Sequence, residues 1–128
     1  MGAPIPGAPP SGYANSDERT WALLAHAGGI FLGFIAPLVV LLAKGNESPT
    51  VRAHALEALN FQITWGAAAL LTSILTVCAG ILTFGIGGVL IILPIGCGIM
   101  IVVFSLVAAI KASDGVFYTY PASLRLVK

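Results

Sequence analysis

Apolar positions run along this chain in long blocks broken by short polar clusters, and the block lengths predict helices rather than strands. From Trp21 to Ala43 no residue carries a formal charge, and at about 1.5 Å per residue that run is long enough to cross a hydrocarbon core of about 30 Å. The cluster KGNE at 44–47 interrupts it. Ser48 and Pro49 then make a strong helix start, a capping hydroxyl followed by proline at the first helical position. The helix that follows is amphipathic from Pro49 to Asn60, with Arg52, His54 and Glu57, and is expected to continue into a second span at about 61–82. Between Glu57 and Lys111 lie 53 residues without a formal charge, enough for two spans and a turn. The turn falls at TFGIGG, 83–88, where three glycines in six residues weaken any helix. A third span is expected at about 89–112, ended by Asp114 and Gly115. The predicted architecture is therefore all-α: an integral membrane bundle of three transmembrane helices at about 21–43, 61–82 and 89–112, the second preceded by an amphipathic cytoplasmic extension.

The ends of the chain read differently. Residues 1–16 are proline-rich and uncharged, which predicts a disordered tail, and they lack the basic start and apolar stretch of a signal peptide. Ser16, Asp17 and Glu18 place a helix start near 17, with negative charge where the helix dipole favours it. Pro37 is expected to kink the first span, and Pro94 with the Gly96–Gly98 cluster to loosen the third. At the other end Phe117, Tyr118 and Tyr120, with Trp21 near the start, are of the type that anchors at the headgroup level.

Composition narrows the classes. Of 128 residues, 58% are hydrophobic and 9% charged, with a mean hydropathy of +0.99, far from the norm for a soluble domain. Six Lys and Arg against five Asp and Glu leave a net charge of +1, without the basic stripe a nucleic-acid binder needs. The expected partners are the lipid bilayer and other integral membrane proteins or a second copy of the chain. In the three-span reading Lys44, Arg52, Lys111, Arg125 and Lys128 fall on one side and Arg19 on the other. That excess places the C-terminus in the cytoplasm and the N-terminus outside a multi-pass protein of the cell membrane. A rival reading makes the first apolar run re-entrant, broken at Gly28, Gly29, Gly33 or Pro37, which brings every basic residue to one side. Cys78 and Cys97 sit at different depths and are not expected to pair.

Candidate chemistry is sparse. Thr50, His54, Glu57, Asn60 and Thr64 project within about 120° of one another on the second helix, a polar stripe expected to face the other helices. With His26 of the first span it forms the candidate polar cluster His26, His54, Glu57, Asn60 and Thr64. Hydrogen bonding is its first reading, with proton handling and a metal site at His26, His54 and Glu57 as sharper alternatives. Ala25, Gly29 and Gly33 form a small-residue ridge suited to close helix packing, with Ser105 and Ala109 as a weaker copy. No nucleophile elbow, zinc-binding H-E-x-x-H or phosphate loop occurs, so no catalytic residue, metal ligand or cofactor is assigned.

The order DERTWALLAHAGG, APLVV, ESPTVRAHALEALNFQ and VFYTYPASLRL resembles small prokaryotic membrane proteins related to the channel-forming inner-envelope subunit of the chloroplast TIC import translocon. The likeness covers roughly residues 17–127. It is most specific from Ser48 to Gln62 and at Tyr120 and Pro121, and also takes in Glu18, Arg19, Trp21, His26, Pro37 and Leu38. It implies an all-helical cell-membrane protein from a family mostly of unassigned function, with no catalytic role at any of these positions. The expectation is a non-enzymatic accessory factor or complex subunit. The alternative, by analogy with the plastid import channel, is an oligomeric pore or transport component.

Overall fold

The computed structural model describes residues 12–128 as four α-helices: α1 (Ser16–Leu32), α2 (Ile35–Lys44), α3 (Pro49–Leu82) and α4 (Ile92–Ser113), with a 3-10 segment at Ile86–Ile91 before α4. The tail expected to be disordered lies outside the described residues from 1 to 11. Its described remainder is packed: Gly12 N donates to Gly115 O at 2.9 Å, and the Tyr13 hydroxyl donates to Ala112 O at 2.7 Å. Asn15, rather than Ser16, caps α1. Its Oδ1 accepts from Glu18 N, while Glu18 Oε2 accepts from Ala14 N, a reciprocal pairing that satisfies donors the first turn leaves free.

The first apolar run does not form a span. It breaks at Gly33 and Phe34 and folds back, so α1 and α2 make a short helical hairpin whose two ends meet. The Lys44 ammonium, at the end of α2, lies 5.7 Å from the centre of the Trp21 ring near the start of α1. Ser48 Oγ donates to Glu18 Oε1 at 2.6 Å. Two features of the sequence make the reversal possible. Gly33 takes φ 59° and ψ −137°, a backbone that side-chain-bearing L-residues avoid, and Gly28 lets α2 approach so closely that a Cβ there would meet Ala36 Cβ at 2.8 Å. Pro37 kinks nothing. It is the third residue of α2, where no intrahelical N–H bond is lost, and Pro94 holds the same position in α4. The loosening expected at Pro94 and Gly96–Gly98 does not occur: α4 is unbroken from Ile92 to Ser113, and the change from 3-10 to α geometry comes before it, at Ile91 and Ile92.

Ser48 Oγ caps Val51 N at 3.1 Å with Pro49 behind it, and α3 then continues without interruption for 34 residues, about 51 Å. Its first turns are not a free amphipathic surface. Val51, His54, Ala55 and the unbroken run from Glu57 to Gln62 are buried, with α1, α2, α4 and the C-terminal segment around them. At the far end Gly85, at φ 98°, turns the chain, and Gly87 presses on the Ala79 backbone, so α4 returns antiparallel to α3. Gln62 meets Ser105, and Phe61 meets Phe104 with ring centres 6.2 Å apart.

Two levels result. At the base, α1, α2, α3 and α4 surround a core of Ala25, Val40, Val51, Ala55, Ala58, Phe61, Ala108 and Tyr120. Beyond the hairpin tip α3 and α4 continue as a pair, with Leu71, Val77, Ile81, Ile92 and Ile99 all more than half exposed. That much contiguous apolar surface is unstable against water and suits lipid. The two long helical stretches, Pro49–Leu82 and Ile86–Ser113, are each long and apolar enough to cross a membrane, in place of the three spans expected. All eleven charged residues, six basic and five acidic, sit within or next to the helix ends at the base or in the C-terminal segment packed there. The start of α1 adjoins the end of α4, where Arg19 Nε donates to Ser113 O at 3.0 Å. The two described ends of the chain therefore share one end of the bundle, rather than the opposite faces expected.

Candidate functional site at the charged end of the bundle

The backbone after α4 is extended and lies across the first half of α3, where it meets the polar stripe. Glu57, His54 and His26 converge there on Tyr120. His26 Nδ1 lies 2.7 Å from the Tyr120 hydroxyl, and His26 Nε2 lies 3.1 Å from His54 Nδ1. Both histidines and Tyr120 are buried. Neutral imidazole carries one N–H for two nitrogens, so the three groups form a directional chain. With the phenol as donor to His26, His26 Nε2–H donates to His54; the opposite tautomers reverse both bonds. Tyr120 stacks on Phe61 at 4.2 Å between centres, and His54 packs against the Phe117 ring edge at 5.1 Å. Burial, the largest influence, raises the Tyr120 pKa well above its ordinary 10.0, so the phenol stays protonated.

Glu57 ties the same segment down through one oxygen. Its Oε1 accepts from Tyr120 N at 2.8 Å and from Arg125 Nη2 at 2.8 Å. One turn on, Asn60 imitates a strand edge: its Oδ1 accepts from Val127 N at 2.7 Å, and its Nδ2 donates to Val127 O at 2.9 Å. Thr64 Oγ1 accepts from Leu124 N at 3.0 Å while donating to Asn60 O. The five residues of the candidate cluster are thus brought into one region, but they divide their work. His26 and His54 bond side chain to side chain, whereas Glu57, Asn60 and Thr64 hold backbone of the C-terminal segment. Sequence reasoning missed Arg125, the Val127 and Leu124 backbone groups, and Gln62, whose Nε2 donates to Ser105 Oγ at 3.1 Å. The available signal was a lone carboxylate on a buried face, which needs a cation, with Arg125 in the one basic segment left to supply it.

Other expected positions move. Tyr120 is not a headgroup anchor but part of the core, while Phe117, Tyr118 and Trp21 are half-buried. Gly33 ends α1 instead of extending its ridge. Ala25 and Gly29 are buried, and Gly29 faces Gln62 closely enough that a Cβ there would collide with its amide. On α4 the buried line is Ser105, Ala108 and Ala112, with Ala109 beside it. Cys78 and Cys97 are free thiols.

Chemically, the cluster is occupied with its own chain. The imidazole nitrogens of His26 point at Tyr120 and His54, not at a common point with Glu57, and among the described residues no three His, Cys, Asp or Glu side chains converge as a metal would require. Two open cavities lie elsewhere and are apolar. One of about 380 Å³ runs under the hairpin tip, between Phe34 and the Gln62–Leu70 stretch of α3; another of about 210 Å³ lies along the hairpin between Trp21 and Val39. Farther out, the hydroxyls of Thr72, Ser73 and Thr76 return to carbonyls of α3 itself, the usual way a lipid-facing helix satisfies such groups.

No curated protein and no solved structure matches the chain. The comparisons also give no link to the TIC translocon subunit; what matches is a family model spanning residues 17–127, α1 through the pinned C-terminal segment. With so much of its length matched, the chain belongs to the Magnetosome magnetite crystal formation protein family.

Proposed function

We propose that the protein is a non-enzymatic, bilayer-embedded accessory subunit in magnetite crystal formation, with its charged end in the cytoplasm and the turn at 83–88 on the other side. The observation that carries the non-enzymatic reading is the commitment of the buried polar groups. His26, Tyr120, Glu57 and Asn60 are each hydrogen-bonded to another residue of the chain, and His54 is bonded to His26 through Nδ1, so that among the described residues no activated nucleophile stands beside either apolar cavity. The orientation follows from the gathering of every Lys and Arg at one end. Membership of the family supplies the process; the subunit role is supported by the two open apolar cavities on the hairpin.

The oligomeric pore takes second place. Its main support was the polar stripe of α3, and of that stripe His54 is turned to His26 while Glu57, Asn60 and Thr64 hold the C-terminal segment rather than facing an open path. The test is removal of the chain from a magnetite-forming bacterium that carries it, with gentle affinity purification of a tagged copy from its native membranes. Crystals of altered size or number, together with a partner at fixed ratio, are the expected result. Unaltered crystals, or a protein that comes alone as a monomer, would overturn the proposal.

A further inference from the structure

The hairpin makes the molecule unequal in the two halves of a bilayer. α3 and α4 run the full depth, but α1 and α2 enter from the charged end and stop. Phe34 at the tip faces Gln62, Gly66 and Leu70 across the apolar cavity they line. From Ala58, where the uncharged stretch begins, to Gly66–Leu70 is eight to twelve residues, about 12–18 Å of a hydrocarbon core of about 30 Å. The tip therefore ends near the middle of the bilayer, and the body of the hairpin lies in the near leaflet. The tip is apolar and bare, with Phe31 85% exposed and Leu32, Phe34 and Ile35 at half or more, which on the membrane reading suits acyl chains rather than water. Helices are about 10 Å across, and two of them add roughly 160 Å² of cross-section to that leaflet alone. Among the described residues the far leaflet holds only α3 and the stretch from Ile86 into α4, and the turn beyond them carries no charge.

We infer that the protein is a membrane wedge that favours bilayers curved with the charged-end leaflet convex, as on the outside of a small vesicle lying in the cytoplasm. The ligand is the lipid bilayer itself, recognised by shape. A leaflet on the convex side has more area for each lipid opposite it, and an inclusion broader in that leaflet relieves the mismatch; on the concave side the same shape adds to it. Insertion to partial depth is the geometry by which other interfacial helices sense curvature. The inference rests on the membrane reading of the preceding subsection and adds a preference that reading does not require.

The experiment uses the purified full-length chain reconstituted into phosphatidylethanolamine and phosphatidylglycerol vesicles of mixed diameter. Protein-to-lipid ratio is read vesicle by vesicle from fluorescence, and orientation from trypsin access to the charged end. For molecules with the charged end outward, density is expected to rise several-fold from the largest to the smallest vesicles; for those inserted the other way it falls. A density independent of diameter in both orientations overturns the wedge. Failure of the protein to float with vesicles at all overturns the membrane reading instead, so the two failures are distinct. A triple variant, Phe31→Ala, Leu32→Ala and Ile35→Ala, narrows the tip at exposed positions outside the core. It is expected to flatten the dependence, and an unchanged dependence in a variant that still floats would also overturn the proposal.

Discussion

Glu57 holds two donors with one oxygen, and the two differ in what they lose when it is changed. Arg125 is 40% exposed at its side chain and regains water, whereas the Tyr120 N–H is buried and regains nothing. Glu57→Gln keeps an acceptor for Tyr120 and is expected to be mild. Glu57→Leu removes it and is expected to destabilise the base by about 1–3 kcal/mol, the usual range for stranding a buried donor. Denaturant unfolding in detergent measures the difference, and faster tryptic cleavage at Arg125 reports the release of the segment. Tyr120→Phe keeps the stack on Phe61 but leaves His26 Nδ1 unpaired, again at about 1–3 kcal/mol. It also changes the response to alkali. The folded pKa of Tyr120 lies above its ordinary 10.0, so the stability its neutral form contributes is complete below that pH and is lost as pH rises toward the folded value. Stability above pH 10.0 is therefore expected to fall less steeply in Tyr120→Phe than in the native chain, as followed by unfolding across an alkaline series.

At the scale of elements the hairpin depends on backbone proximity. Gly29→Ala would drive a methyl into the Gln62 amide, which is buried and bonded to Ser105 and so cannot swing away freely; a loss of about 1–2 kcal/mol is expected, near that of one buried hydrogen bond. The reversal itself is tested by labelling. Ser16→Cys and Asn46→Cys, each made with Cys78 and Cys97 replaced by Ala, are expected to react with an impermeant maleimide from the same face of the membrane. Labelling from opposite faces would restore a full first span. This element was the least legible in the sequence. The uncharged run from Trp21 to Ala43 satisfies the length rule for a span, and what defeats it is a positive φ at Gly33 and the fit of Gly28 on Ala36, both tertiary facts. The odd placing of Arg19 was the available hint, because a re-entrant run removes the exception. By contrast α3, its Ser48 cap and the turn at 83–88 were legible, since capping chemistry and glycine content are local. The polar stripe was legible as a face, but its partner was not. An extended segment such as 116–128 has no period to read, and aromatic residues beside a membrane helix suggest an interface before a core.

For the whole molecule the governing feature is the segregation of charge. The far turn from Thr83 to Val89 contains no charged residue, and it leads with Phe84, which is 99% exposed. In the proposed orientation such a turn would pass through a bilayer without having to desolvate a charge, and the basic residues left behind would hold the other end in place. Placing arginine at Ile86 and Val89, which are 77% and 72% exposed, adds two cations where there were none and disturbs no packed side chain. Each arginine at the centre of a membrane costs about 2.5–3.5 kcal/mol on insertion scales. The double variant Ile86→Arg, Val89→Arg is therefore expected to leave the base folded while impairing passage of the turn. A cysteine introduced at Thr83 in the same background, with Cys78 and Cys97 replaced by Ala, should lose its reaction with an impermeant maleimide supplied from the far side, while one at Asn46 keeps its own. Undiminished labelling at Thr83 would mean that the charge-free turn is incidental, and that the packing of the hairpin against α3 alone decides which end of the bundle crosses.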